Sequence, residues 1–274
     1  MHTVELSAGT IEYDAYGPAK GRSVVFVHGY AMGASLWRPL AQRLAEHSLR
    51  CFAPTWPLGG HRRAMRPAAE LTMRGVAAMV DEFLTALDLD DVVIVGNDTG
   101  GAIAQIVAGE FGDRVGALVL TSCDAFEHFP PPILAPLITA TKVPPVFRAA
   151  LKTMGTKIGR RRAYGALSHG DLDALTAEWT RRLVRDPGIA EDLRRFTASE
   201  PAEHPRRGGQ AAAVHQAGTD RLVGRRRVLR AGGRPAAGPG AARRAPGGHR
   251  ERADLLDARP ARCAGRPDRR LRDG

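Results

Sequence analysis

The stretch Gly96-Asn97-Asp98-Thr99-Gly100-Gly101 decides the fold of this chain. It follows the apolar run Val92–Val95 and leads into a run with helical character, Ala102–Val107. A strand, a tight turn framed by glycines and a helix are therefore predicted in succession. Glycine frames such a turn because side chains at the flanking positions would clash with the strand and helix that it joins. The pattern predicts an aspartate, Asp98, at the apex of a strand-to-helix turn.

Strand and helix patterns alternate on both sides of this turn. Strands are predicted at Val4–Leu6, Ile11–Tyr16, Ser23–His28, Arg50–Ala53, Val92–Val95 and Gly116–Ser122. Helices are predicted at Leu36–His47 and after Thr72, which can cap a helix with apolar residues at three- and four-residue intervals. This alternation predicts an α/β fold with a doubly wound, mostly parallel sheet, whose site lies at the carboxyl ends of the strands.

The charge divides the chain into two parts with a boundary near His204. Residues 205–274 contain 18 Arg and 6 acidic residues, whereas the remainder of the chain carries a net charge of −1. The same 70 residues lack Phe, Trp, Tyr, Ile, Met and Lys and are rich in Arg, Ala, Gly and Pro. Such a composition cannot supply a packed core, so we predict a disordered basic tail.

The rest of the composition limits the location and the cofactors. No apolar run approaches the roughly 20 residues that a membrane helix needs, and Met1–Glu5 does not begin a signal peptide. Three widely spaced cysteines, at 51, 123 and 263, argue against a disulfide framework and against a metal site. We expect a cytoplasmic protein with no metal, no cofactor and no membrane partner.

Residues 20 to about 204 resemble the α/β-hydrolase superfamily, and most closely the branch of haloalkane dehalogenases and epoxide hydrolases. Three motifs carry the resemblance: Val27-His28-Gly29-Tyr30, the glycine-framed turn at 96–101, and Leu118–Ala125. The resemblance implies an α/β-hydrolase core at 1–124 and a helical lid at 125–204, followed by the tail at 205–274, where the family's last strands are missing.

The resemblance also assigns roles to individual residues. Asp98 takes the place of the nucleophile that attacks a carbon bearing a halide or an epoxide oxygen; its alternative is an acid placed at a helix N-terminus. The backbone N–H groups of Tyr30 and Thr99 would form the oxyanion hole. Asp124 matches a position of the triad acid, or else caps the next segment. His28 is expected to brace its loop.

The chain departs from both subfamilies at their diagnostic positions. Dehalogenases have Trp directly after the nucleophile and Asn after His-Gly, where this chain has Thr99 and Tyr30. Epoxide hydrolases have Pro at the position of Met32. In the predicted lid, Tyr164 and Trp179 could line a pocket, although core packing is the commoner role of such aromatics. The loop 57–63 could border the entrance of such a pocket, but a solvated basic loop is the favoured interpretation.

The family's catalytic histidine has no counterpart in the tail. Only His215 and His249 lie there, and neither follows a credible strand. A one-nucleotide shift of the frame over 214–229 can spell FTKPVLIAWSADDVFF, which is strand-like and then acidic, as the family is at this point. The hypothesis is therefore that the tail is read out of frame.

Three functions follow from these observations. The favoured one is a hydrolase with an Asp nucleophile acting on a small apolar molecule of the carbon-halide, epoxide or ester type. The alternative is a catalytically inactive or frameshifted hydrolase-like protein. Nucleic-acid binding through the arginine-rich tail is disfavoured, because aromatic residues are not interleaved there and no recognition motif is present.

Overall fold

The structure, a computed structural model, describes residues 1–123, 135–165, 167–168 and 170–199, together with the backbone of 228–230. Contacts divide the chain into two compact units, Met1–Gly233 and Arg234–Gly274, and every described residue belongs to the first. No helix within these ranges is long and apolar enough to cross a membrane.

A seven-stranded sheet forms the centre of the described chain, with the order β1-β2-β4-β3-β5-β6-β7. The strands are β1 His2–Leu6, β2 Gly9–Tyr16, β3 Ser23–Val27, β4 Arg50–Pro54, β5 Val92–Asn97, β6 Val115–Thr121 and β7 Val228–Arg230. The β1–β2 and β2–β4 pairs are antiparallel and the remaining pairs are parallel. The predicted doubly wound, mostly parallel sheet is confirmed.

Helices connect the parallel strands and continue after β6. They are α1 Arg38–Glu46, α2 Met73–Ala86, α3 Thr99–Glu110, α4 Ala135–Ala140, α5 Pro144–Lys152, α6 Lys157–Tyr164, α7 Asp173–Leu183 and α8 Pro187–Ser199. The helix predicted after Thr72 is α2, and the Thr72 hydroxyl accepts from the backbone N–H of Gly75 at 2.8 Å, as an N-cap does. The helical spacing after Leu36 resolves into a short 3-10 turn, Ala34–Trp37, followed by α1.

Two of the apolar clusters explain how the helices are held. One lies between the sheet and helices α2 and α3, and includes the fully buried Trp56, Phe83 and Ile103. The other joins the helices of residues 135–199, here called the helical segment, to Ala31 and Met32 after β3. Tyr164 and Trp179 both belong to this second cluster, with rings in an edge-to-face contact at 5.7 Å. The commoner expectation for these aromatics, core packing, is therefore confirmed.

The structure corrects the sequence prediction for the tail at one place. Residues 228–230 form β7, whose backbone pairs in parallel with Leu118–Leu120 of β6. No strand was predicted anywhere in 205–274, so the prediction was wrong here. The run Val228-Leu229 is among the few apolar pairs of the tail, and an open strand edge offers backbone hydrogen-bonding groups irrespective of the side chains. The rest of the predicted tail lies outside the described residues.

Candidate active site

Asp98 is the single residue between the end of β5 at Asn97 and the start of α3 at Thr99. Its backbone angles are φ 54° and ψ −135°, which L-residues rarely adopt. Conformations of this kind cost on the order of 1–3 kcal/mol and persist only when the surroundings impose them. The sharp turn that the sequence predicted is therefore present, with the aspartate at its strained position.

Glycines permit the close approach of the segments around this turn. A Cβ on Gly96 would lie 2.7 Å from both the Gly100 carbonyl oxygen and the Gly101 Cα, which is closer than real Cβ contacts allow. A Cβ on Gly29 would overlap the Asp98 carboxylate. The turn and the loop after β3 can therefore converge on one carboxylate only because both carry glycine at these points.

Two backbone N–H groups donate to one oxygen of the Asp98 carboxylate. The Tyr30 N–H donates to Oδ1 at 3.0 Å and the Thr99 N–H donates to the same atom at 2.6 Å. Within the described residues, Oδ2 has no hydrogen-bond partner. The N–H groups of Tyr30 and Thr99, to which the resemblance assigns the oxyanion hole, thus both donate to a single oxygen atom, although 68 residues separate Tyr30 from Asp98.

The geometry of Asp98 differs from that of an ordinary helix cap. An N-cap side chain accepts from the second or third N–H of its helix, and its backbone lies in the β region. Asp98 accepts from the first residue of α3 and from a distant loop, and its φ is positive. Helix capping alone accounts neither for the strained backbone nor for the Tyr30 contact.

His28 braces the loop after β3. Its Nε2 accepts from the Trp56 N–H at 2.8 Å, so the ring proton resides on Nδ1, which donates to the Gly29 carbonyl at 3.0 Å. Complete burial lowers the pKa of His28 to about 4, because the charged ring would lose its hydration. A neutral ring with both nitrogens engaged has a structural role, as expected from the sequence.

The helical segment contacts the loop that donates to Asp98. The Tyr164 hydroxyl donates to the Ala31 carbonyl at 2.7 Å, and the Tyr30 hydroxyl lies 2.6 Å from Thr197 Oγ1. Burial raises the pKa of the Tyr164 phenol, and the neighbouring Tyr30 phenol and Asp98 carboxylate raise it further. Tyr164 therefore remains a neutral donor to the loop whose Tyr30 N–H binds the Asp98 carboxylate.

A buried His–Asp pair was not predicted from the sequence. His61 Nε2 lies 3.1 Å from Asp192 Oδ2, and the same oxygen accepts from the Met65 N–H at 2.7 Å. The pair ties the loop after β4 to α8. The loop 57–63 was predicted to be solvated, and this was wrong: Pro57, Leu58, Gly59 and His61 are buried, and only the two arginines at its end are exposed.

The remaining predicted site residue is not described. Asp124 lies outside the described residues, as do His215 and His249. Of the four histidines in the described ranges, at 2, 28, 47 and 61, none hydrogen-bonds to Asp98. Those ranges also contain no group of three His, Cys, Asp or Glu side chains that could hold a metal ion.

A family model described as "alpha/beta hydrolase fold" matches residues 22–191, more than half of the chain. The chain belongs to the α/β hydrolase family. The match covers the loop at Gly29 and Tyr30, the Asp98 turn and most of the helical segment.

Individual relatives include members of the branch that the sequence motifs indicated. The chain is 37% identical to a non-heme chloroperoxidase of Streptomyces lividans over 124 aligned residues, and this alignment covers 44% of each chain. It is 33% identical over 106 residues to a haloalkane dehalogenase of Mesorhizobium japonicum, which covers 39% of this chain and 33% of the relative. The chain thus spans less than half the length of either relative.

A solved structure shares the fold at low sequence identity. The ligand-free epoxide hydrolase CorEH matches with a TM-score of 0.58 and 21% identity, over 74% of each chain. At this identity the likeness shows the fold alone. The α/β-hydrolase fold predicted from the sequence is confirmed; a haloalkane dehalogenase is among the relatives of the chain, and an epoxide hydrolase shares its fold.

Proposed function

We propose that this chain is an α/β hydrolase whose Asp98 attacks an electrophilic carbon of a small apolar substrate, forming a covalent ester. The observation that carries the proposal is the asymmetric environment of the Asp98 carboxylate. Oδ1 accepts from the Tyr30 and Thr99 N–H groups, whereas Oδ2 has no partner in the described part of the chain. The carboxylate is thereby oriented with one oxygen held and the other available for attack.

The first step is a displacement at carbon. A lone pair of Oδ2 forms the new C–O bond while the bond from the same carbon to a halide breaks, and the halide leaves as the anion. With an epoxide, the carbon–oxygen bond of the ring breaks instead and the alkoxide takes a proton from water. Both reactions leave an ester on Asp98, and neither needs a metal or an organic cofactor.

The second step uses the same two N–H groups. Water attacks Cγ of the ester, and negative charge develops on the ester carbonyl oxygen, which is Oδ1 if the carboxylate keeps its orientation. Tyr30 N–H and Thr99 N–H would stabilise that charge as an oxyanion hole. We propose that Asp124 belongs to this step as the acid that orients a base.

The base that activates the water is not among the described residues that contact Asp98. None of the four described histidines contacts Asp98, and His28 has both ring nitrogens engaged. General base assistance contributes about 10²- to 10⁴-fold to such steps. We therefore propose that the ester forms faster than it is hydrolysed.

The apolar surroundings favour a small uncharged substrate. The second cluster packs Phe147, Tyr164 and Leu193 against Ala31 and Met32 of the loop that carries Tyr30. We propose that the helical segment acts as a lid over the carboxyl ends of the strands, as the division of the chain at 125–204 implies. Its aromatic and aliphatic side chains would exclude charged ligands from the carboxylate.

Burst kinetics with a short alkyl halide and with a small epoxide test the proposal. We expect rapid release of about one halide per chain followed by a slow phase, because the ester accumulates. Asp98→Asn keeps the size of the side chain and should abolish the burst. A full-size burst in Asp98→Asn, or no burst in the wild type with either substrate, would contradict the proposal.

The second candidate is a hydrolase-like protein without catalytic activity. The observation that favours it is the lack of a described histidine at Asp98. It predicts that the wild type reacts with neither substrate class, so the burst experiment separates the two candidates.

A further inference from the structure

The loop that supplies the Tyr30 N–H contains a strained turn. The Met32 N–H donates to the Gly29 carbonyl at 3.2 Å and closes a four-residue turn around Tyr30 and Ala31. Ala31 has φ 53°, a value that usually requires glycine. Since an alanine holds this conformation, contacts outside the turn must stabilise it.

Two such contacts act on Ala31 itself. Its N–H donates to the Leu58 carbonyl at 2.7 Å, and its carbonyl accepts from the Tyr164 hydroxyl at 2.7 Å. Both peptide groups that flank the strained residue are therefore fixed. The Leu58 contact comes from the loop after β4, whereas the Tyr164 contact comes from α6 of the helical segment.

A third contact fixes the side chain of Tyr30. Thr197 Oγ1 donates its hydrogen to the Leu193 carbonyl at 2.6 Å within α8. The Tyr30 hydroxyl, 2.6 Å from the same oxygen, is therefore the donor in that pair. Tyr30 is thus held by its backbone N–H at Asp98 and by its hydroxyl at α8.

From these contacts we infer that Tyr164 and Thr197 are positioning residues, through which the helical segment sets the oxyanion hole at Asp98. Tyr164 fixes the strained Ala31 and Thr197 fixes the Tyr30 ring, and both act on the orientation of the Tyr30 N–H. The inference rests on the proposed function, because it assigns these hydroxyls a role in the two steps at Asp98.

Ester formation and ester hydrolysis should respond differently to the loss of a positioning hydroxyl. Charge develops on Oδ1 during hydrolysis of the ester, so that step depends on the placement of the Tyr30 N–H. During alkylation the reacting atom is Oδ2, and the negative charge leaves Asp98 rather than accumulating on it. Losing a positioning hydroxyl should therefore slow ester hydrolysis more than ester formation.

Ser35 supplies a matched control. The Trp179 indole N–H of α7 donates to Ser35 Oγ at 2.9 Å, which is also a buried hydrogen bond between the helical segment and the core. It lies outside the turn at 29–32. Ser35→Ala and Tyr164→Phe each remove one buried hydrogen bond between the helical segment and the core. Only the bond lost in Tyr164→Phe involves the turn at 29–32 that carries the Tyr30 N–H.

The experiment measures both steps separately in the full chain by intact mass spectrometry. Ester formation is followed with a short alkyl halide, and ester decay is followed after the halide is removed, with added imidazole as an external base. Removing an oxyanion donor outright costs about 10²- to 10³-fold. For a misplaced donor we expect Tyr164→Phe to slow decay by about 10-fold or more and to change formation by less than about 3-fold.

Thr197→Val provides an independent test if Tyr164→Phe does not fold, and it should slow decay in the same selective way. Ser35→Ala should leave both rates within about 2-fold of the wild type. Equal rates in wild type and both hydroxyl variants, or a parallel fall of both steps in all three variants, would overturn the inference. Failure of the proposed function is recognised separately, because the wild type itself would then form no ester.

Discussion

Replacing Asp192 with alanine should destabilise the protein more than any exposed charge change on the same helix. The Asp192 carboxylate is 5% exposed and its partner His61 is 3% exposed. Asp192 Oδ2 is the acceptor for both the His61 ring and the Met65 N–H. The substitution therefore removes the atom that joins His61 and the Met65 N–H to α8.

The magnitude follows from the two groups that would lose their acceptor. Each buried donor left without a partner costs about 1–3 kcal/mol, so the two together cost about 2–6 kcal/mol. We expect the free energy of unfolding to fall by about 4 kcal/mol, a large part of the 5–15 kcal/mol typical of a domain.

Thermal and urea unfolding, followed by circular dichroism, measure this loss. For a protein of this size, about 4 kcal/mol corresponds to a midpoint lower by on the order of 10 °C. Glu191→Ala on the same helix is the control, because it breaks only the partly exposed pair with Arg194 and should cost less than about 1 kcal/mol. A loss below about 1 kcal/mol in Asp192→Ala, or equal losses in both variants, would show that the Asp192 carboxylate does not stabilise the fold in this way.

Three further predictions concern the cap, the buried histidine and the glycine at the carboxylate. Thr72→Ala removes the N-cap of α2 and should lower the free energy of unfolding by about 1 kcal/mol in chemical denaturation; an unchanged midpoint would contradict this. His28 has a folded-state pKa of about 4, below its unfolded value, so the unfolded chain takes up the proton first. The free energy of unfolding therefore falls by up to about 3 kcal/mol as the pH drops from about 6.5 towards 4. Between pH 7 and pH 4.5, the free energy of unfolding should fall less in His28→Gln than in the wild type; equal falls in the two proteins would contradict this prediction. Gly29→Ala places a Cβ on the Asp98 carboxylate and should abolish ester formation, whereas Gly155→Ala, whose Cβ would meet only ordinary contacts with Val184 at 3.7 Å, should react as the wild type; a reactive Gly29→Ala would contradict the site geometry.

Local patterns were sufficient to predict most of the sheet and its helices. The strands β3 and β5 are continuous apolar runs, and α2 carries both a cap residue and helical periodicity, so their order and type could be inferred from neighbouring residues alone. The turn at Asp98 was predictable because a side chain at Gly96 would clash with Gly100 and Gly101, within the same short stretch 96–101.

The long-range features could not be inferred in this way. The His61–Asp192 pair joins residues 131 apart, and neither residue lies in a recognisable motif. The arginines at 62 and 63 give the loop 57–63 the composition of a solvent-exposed loop, although its first half is buried. The positive φ of Ala31 carries no sequence signal either, since alanine does not mark such a turn.

The central claim, that Asp98 is the nucleophile, is tested most directly by locating the covalent adduct. The protein is incubated with a short alkyl halide, digested at acidic pH to preserve esters, and its peptides are mapped by tandem mass spectrometry. We expect one added alkyl group, on Asp98, in the wild type and none in the corresponding peptide of Asp98→Asn. An adduct on any other residue, or an unmodified Asp98 when halide has been released, would contradict it.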